Sequence, residues 1–191
     1  MAKKQRLDKA IAMQGSLSRS EVKTLIRKGA VTVNGQVVKN ADFGVDFDSD
    51  TVAVQGKELS LSMHIYLMLN KPKGVVSASE DKKLPTVVDL IPKELWRKGL
   101  FPAGRLDKDT TGFVLITDDG EFAHDILSPK KHISKTYHAL VNGTITDEMV
   151  EGFAKGVTIG EDFTLPASLK KISSEEQGDW GEVILKEGMY H

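Results

Sequence analysis

The sequence predicts an α+β protein, and three observations predict it. A capped amphipathic helix precedes an Asn-Gly hairpin in the first sixty residues, short apolar runs of strand length recur afterwards, and only three further helical stretches separate those runs. The chain has 191 residues, 40% of them apolar, enough for a buried core in one or two domains. It contains no cysteine, which excludes a disulfide framework and a thiolate metal site. Its longest apolar runs, 65–69 and 113–116, fall far short of the roughly 20 residues of a membrane span. No signal peptide is recognisable at the start, and a cytoplasmic location is expected.

Charge is unevenly placed. Residues 1–39 carry nine Lys or Arg against two acids, a net of +7, and the remainder is correspondingly acidic at −8. A compact basic block on an acidic chain is the footprint of a phosphate-binding module or a solvated helix face.

Element by element, residues 6–13 form a short helix with Leu7, Ala10 and Ile11 inward. Ser18 and Glu21 make a capping box opening a second helix that reaches Lys28 and stops at Gly29. On that helix Val22, Leu25 and Ile26 share one arc, while Arg19, Lys23 and Arg27 fall within about 80° of each other on the next. Asn34-Gly35 between two β-branched runs signals a type I′ hairpin. The acids Asp42, Asp46, Asp48 and Asp50 lack the EF-hand spacing and read as a polar loop.

A second domain is expected from residue 63. The run 65–70 reads as a buried strand ending at Lys71-Pro72-Lys73-Gly74, with strand again at Val75-Val76 and an irregular helical stretch through 84–90 to Trp96. A loop bracketed by Gly104 and Gly112 follows, then a strand at 113–117 and a helix opened by Asp118-Asp119-Gly120 and ended by Pro129. A strand at 136–141, a helix at 147–155 and strands near 165–172 and 181–186 complete the chain.

Phosphate-loop, dinucleotide, nucleophile-elbow and zinc-protease motifs are absent from the sequence, and its histidines show no metal spacing on one element. What remains is the 104–112 loop. Its glycines permit sharp turns, Thr110 and Thr111 leave room for a backbone to approach, and Arg105 can hold Asp107 ionised. From the residues alone, that pair suits a structural turn as well as a catalytic carboxylate.

Two resemblances bear on function. SRSEVKTLIRKGAV followed by VTVNGQVVK resembles the S4 RNA-binding domain over residues 6–59. That resemblance implies a structured RNA held through its phosphates by Arg6, Lys9, Arg19, Lys23 and Arg27. GRLDKDTTGFVLITDDG resembles the central motif of the pseudouridine synthases, NKPKGVVS their lysine-proline motif, SPKKHISKTYHALV the stretch with their active-site tyrosine, and EGMYH the start of their last motif. The DTTG loop, the SPKKHISKTY stretch and the S4-like front together are most similar to the branch acting on 16S rRNA of the small subunit; the alternatives are a sister synthase acting on 23S rRNA and a non-catalytic S4-type RNA-binding protein.

The implied fold is an S4 domain over 1–60 and a catalytic domain over 63–191 built on a mixed, mainly antiparallel sheet. The implied reaction breaks the N1–C1′ bond of uridine, turns the uracil and rejoins it through C5, without metal or cofactor. Asp107 would either attack C1′ or remove the C2′ proton, Arg105 would pair with it and fill the space of the flipped nucleotide, and Tyr137 would lie against the uracil. Lys71 and Lys73 are expected to contact RNA. A monomer is expected, acting on naked 16S rRNA or on an assembling subunit and on no membrane. In the family the stretch after EGMYH continues with a glutamine and a basic pair, so a carboxy-terminal part of the catalytic domain is expected beyond His191.

Overall fold

A computed structural model of the chain describes residues 4–15, 17–128, 131 and 133–186. The chain folds as two compact units, Met1–Ala123 and His124–His191.

The first unit begins with β1 (Gln5–Arg6) and α1 (Leu7–Ala12), then α2 (Arg19–Arg27). The expected capping box is present. Ser18 Oγ accepts from the Glu21 N–H at 3.3 Å, and the Glu21 carboxylate accepts from the Ser18 N–H at 2.8 Å. After Gly29 come β2 (Val31–Val33) and β3 (Gln36–Val37), joined by Asn34 and Gly35 at φ of 51° and 77°, the positive values a type I′ turn needs. β4 (Gly44–Val45) pairs with β1, and β5 (Val52–Val54) and β6 (Lys57–Leu59) extend the hairpin into an antiparallel sheet ordered β3-β2-β5-β6. Leu7, Ile11, Val22, Ile26, Val31, Val33, Val45, Val52 and Val54 form the core between helices and sheet, and Leu25 packs at its margin. The acids 42–50 form turns: Asp50 accepts from the Asp46 N–H and from Asn34 Nδ2, both at 2.9 Å.

The same unit continues with β7 (Tyr66–Lys71), β8 (Phe101–Ala103) and β9 (Gly112–Thr117) in a three-stranded antiparallel sheet with β9 central. β7 is not buried on both faces as its continuous apolar run predicts. Exposure alternates along it, with Met68 83% exposed while Leu67 and Leu69 pack inward on the core of Val75, Val87, Val88, Leu100, Val114 and Ile116. The expected strand at 75–76 reduces to one parallel bridge, Val76 with Thr86, and every named ladder among the described residues is antiparallel. Residues 84–96 form turns instead of a helical stretch, because Pro85 and Pro92 interrupt it and Thr86 bonds Asp89 within a local turn. α3 (Gly120–Leu127) opens after Asp119, which accepts from the Phe122 N–H at 3.0 Å. Pro129 lies outside the described residues.

The join between the S4-like part and β7 is held on both sides. Gln14 exchanges two hydrogen bonds of 3.3 Å with the backbone of Ser62. Arg97, 4% exposed, donates to the carbonyls of Ser62 and Met63 and pairs with Asp118, whose carboxylate also accepts from the Ile65 N–H. Gly15, at φ 91°, sits against this clamp so closely that a Cβ would lie 2.2 Å from the Trp96 carbonyl.

The second unit holds β10 (Lys135–Val141), α4 (Asp147–Lys155), the short hairpin of β11 (Thr158–Ile159) and β12 (Asp162–Phe163), and the long β13 (Ser168–Glu175) and β14 (Gly178–Leu185). The sheet runs β10-β14-β13. Asp179 ties it to the chain before α4, accepting from the Ile145 N–H at 2.8 Å and pairing with Lys171 at 2.7 Å. Lys171, then Ser174 and the Ile145 N–H, hold its carboxyl at about 2, below the ordinary 3.8. A carboxyl lowered in the folded state contributes stability that is present above about 3.8 and lost as pH falls toward about 2. Asp179→Asn is therefore expected to lower the melting temperature by several degrees at pH 7, and the gap from the parent should close between pH 4 and pH 2. A gap of constant size across that range would exclude the carboxylate as its source.

Candidate active site and RNA-binding face

The 104–112 loop is built as a fixed platform. It begins and ends on glycines of positive φ, Gly104 at 108° and Gly112 at 128°, and turns tightly where the Thr110 N–H donates to the Asp107 carbonyl at 3.1 Å. Ser77 holds the residue before Asp107 from both polar sides. Its Oγ donates to the Leu106 carbonyl at 2.8 Å and accepts from the Leu106 N–H at 3.0 Å. Beyond Asp107, the Gly74 N–H donates to the Lys108 carbonyl at 2.9 Å.

Lys71 completes the suture and corrects an expectation. Expected to contact RNA, it has instead a fully buried side chain, and its ammonium donates to the carbonyls of Thr110 at 2.7 Å, Lys108 at 3.1 Å and Pro72 at 3.2 Å. Three protein carbonyls use three ammonium donors, which leaves nothing for a phosphate. Burial lowers its pKa below the ordinary lysine value, while Asp109 and Asp107 pull the other way. Lys71 is a strut under the loop that also supplies positive potential to its two carboxylates. Lys73, two residues on, is exposed.

Asp107 and Arg105 both stand exposed on this platform. Tyr137 lies on β10 of the second unit, half-buried and opposite Val183. The first unit therefore brings Asp107, Arg105, Lys71 and Lys73 to one loop pair, and Tyr137 belongs to the β10-β14-β13 sheet.

At the amino-terminal end, α2 places Arg19, Lys23 and Arg27 along an exposed face, and Arg6 and Lys9 are exposed from the segment before it. Three of these five cations converge on Asp8. The Asp8 side chain is fully buried and accepts from Arg6 through Nε and Nη2, both at 3.2 Å, and from Arg19 Nη2 at 3.1 Å, with Lys23 Nζ at 3.8 Å. Arg6 also pairs with Asp42. Burial pushes the Asp8 carboxyl up, and the hydrogen bonds from Arg6 and Arg19 more than reverse that, leaving it below the usual carboxylate range. Sequence reasoning missed Ser77 and Asp8. Ser77 closes the NKPKGVVS run, and Asp8 is one of only two acids in the basic block; these were the available signals.

The first unit thus carries both a basic helical module and a carboxylate loop pinned by a buried lysine. The chain belongs to the RNA pseudouridylate synthase family, whose model matches residues 65–191, and an S4 domain model matches residues 5–52. It is 43% identical to the RNA pseudouridine synthase YtzG of Bacillus subtilis (strain 168), a match covering 97% of this chain and 78% of that protein. It is 41% identical to the ribosomal small subunit pseudouridine synthase A of Escherichia coli (strain K12), over 97% of this chain and 79% of the other. The ribosomal large subunit pseudouridine synthase B of Bacillus subtilis is 39% identical over 91% and 70%. Among solved structures, one described as a pseudouridylate synthase superposes with a TM-score of 0.57 at 34% identity, covering 97% of this chain and 79% of that one.

Proposed function

We propose that this pseudouridine synthase isomerises a uridine of 16S rRNA, with the S4-type part, residues 1–60, supplying affinity and residues 63–191 the chemistry. The observation that carries the catalytic half is the loop around Asp107, fastened at Leu106, Lys108 and Thr110 by Ser77, Gly74 and Lys71. A carboxylate that must act on C1′ or on the C2′ proton of an extruded nucleotide needs a fixed approach, and a fastened loop supplies it before substrate arrives. In this reading Arg105, two residues earlier, pairs with Asp107 and fills the helix left by the flipped base. Tyr137 lies against the uracil and assists loss of the C5 proton. The small-subunit target is supported by the 41% identity over 97% of the chain to the enzyme named for that subunit. A 23S target is the second reading, supported by the 39% identity to the large-subunit enzyme. The protein acts as a monomer in the cytoplasm, on naked RNA or on an assembling subunit.

Pseudouridine mapping of rRNA from cells lacking the protein tests the target. Loss of one site in 16S rRNA is expected; loss only in 23S rRNA selects the second reading, and an unchanged map of both overturns the proposal. The affinity half has its own test. Replacing Arg19, Lys23 and Arg27 with Ala should weaken binding of transcribed 16S rRNA and reduce the slope of affinity against salt by about two to three, because fewer counterions are released. An unchanged slope would exclude this face as the contact.

A further inference from the structure

We propose that Asp8 is a positioning residue for RNA recognition, a buried anion that gathers Arg6, Arg19 and Lys23 into one preformed phosphate-binding cluster. The inference rests on the reading of this face as the RNA contact. Its starting point is a conflict in the charge pattern: a surface meant for phosphates contains an acid at its centre, and that acid subtracts from the attraction.

The geometry resolves the conflict. Arg6, Arg19 and Lys23 come from three places in the chain, the start of α1 and two successive turns of α2. Left alone, three long cations in this space repel each other and sample many rotamers, and ordering each of them costs side-chain entropy. Asp8 removes both obstacles. Its carboxylate is fully buried, so its charge acts on these side chains with little competition from water, and it takes two bonds from Arg6 and one from Arg19, with Lys23 beside them. Each cation nevertheless remains about half exposed, 49% for Arg6, 53% for Arg19 and 49% for Lys23. Part of each guanidinium is engaged by the Asp8 carboxylate, and Arg6 also by Asp42, while the side chains stay open to solvent over about half their surface.

The cluster keeps a net positive charge, since three cations surround one anion, with Asp42 offsetting Arg6 at its outer edge. Arg27 stands apart from it. Arg27 folds back on its own helix, donating to the Lys23 carbonyl at 3.3 Å and to Thr24 Oγ1 at 3.4 Å. The face thus has an ordered centre and looser flanking charges. An ordered centre binds phosphates in a fixed arrangement, whereas free lysines confer only general attraction.

Two explanations of Asp8 predict opposite signs. If only net charge mattered, the isosteric Asp8→Asn would add one positive charge to the face and tighten RNA binding. If Asp8 organises the cations, the same substitution should weaken binding to transcribed 16S rRNA by roughly tenfold. Affinity is read by equilibrium binding on the full chain at several salt concentrations, with circular dichroism and melting as controls. Introduced into a variant already carrying Ala at 6, 19 and 23, Asp8→Asn should change affinity no further, because nothing remains to be organised. Equal or tighter binding by a folded Asp8→Asn variant overturns the proposal, as does a full tenfold loss in the triple-Ala background. Should Asp8→Asn fail to fold, the doubly conservative Arg6→Lys, Arg19→Lys variant decides. It keeps every charge but removes the forks that grip Asp8, so weakened binding supports the proposal and unchanged affinity overturns it. A failure of the underlying reading looks different, since replacing Arg19, Lys23 and Arg27 with Ala would then leave RNA affinity untouched.

Discussion

Asp107→Asn should abolish pseudouridine formation while leaving RNA affinity within about twofold of the parent, a loss of turnover of several orders of magnitude. The amide keeps the shape of the side chain. The bonds that fasten the loop among the described residues run elsewhere: Ser77 holds Leu106, Lys71 holds Lys108 and Thr110, Gly74 holds Lys108, and Asp107 enters the turn through its carbonyl. The variant should therefore fold with the loop in place and melt near the parent. An amide is neither a nucleophile toward C1′ nor a base toward the C2′ proton at neutral pH. Chemical mapping of pseudouridine after incubation with transcribed rRNA reads the outcome. Substantial product from the Asn variant would refute the role assigned to the carboxylate, and parallel loss of affinity and turnover would make Asp107 a folding residue.

Lys71→Met should produce the second large effect, and of a different kind. Methionine has the length to fill the space but removes the ammonium that the carbonyls of Thr110, Lys108 and Pro72 accept from, leaving Lys108 with the Gly74 N–H. Losing those charge-assisted bonds should cost about 3 kcal/mol of stability. The platform under Asp107 would also loosen, and a displacement on the order of 1 Å at a reacting group lowers turnover by roughly a hundredfold. Affinity for RNA should change little, because the ammonium is not at the surface. Denaturant unfolding and single-turnover kinetics on the folded fraction separate the two consequences. A variant that kept parent stability and turnover would show that the suture is dispensable, while a selective loss of affinity would restore Lys71 to the RNA contacts.

That reversal for Lys71 illustrates which properties a sequence carries. α2 was legible to within one residue because its determinants are local: Ser18, Glu21 and Gly29 act within one helix, and the spacing of Val22 and Ile26 declares the buried arc. The Asn34-Gly35 hairpin was legible for the same reason. The turn between β5 and β6 was not, since it places Gln55 at φ 51°, a conformation glutamine does not advertise. Residues 84–96 failed because apolar residues broken by Pro85 and Pro92 have no clear period, and β7 because a continuous apolar run does not say that one face stays open. The candidate carboxylate loop was legible in its glycines and its Arg-x-Asp spacing. What fastens it was hidden, because Lys71 and Ser77 reach it across 39 and 29 residues of sequence. Asp8 was hidden too, since a charge count records it as a subtraction whereas folding makes it the point on which the cations converge.

The clamp between the S4-like part and the synthase part has a consequence for how such proteins can be recombined. Their architecture invites exchange, with one RNA-binding front traded for another to redirect the chemistry. Here the seam is not a passive tether. Gln14 and Gly15 on one side, Ser62 in the middle, and Arg97 and Asp118 on the other form a single interlocking set, and a side chain at position 15 would collide with the Trp96 carbonyl. A foreign front grafted at residue 60 would bring its own residue to the place of Gly15 and its own partner for the Ser62 backbone. Chimeras that transfer Gly15 and Gln14 with the graft preserve the lock and hold the new RNA face at a set distance from the Asp107 loop; those that omit them leave a buried arginine to be satisfied by a linker no longer held from the other side.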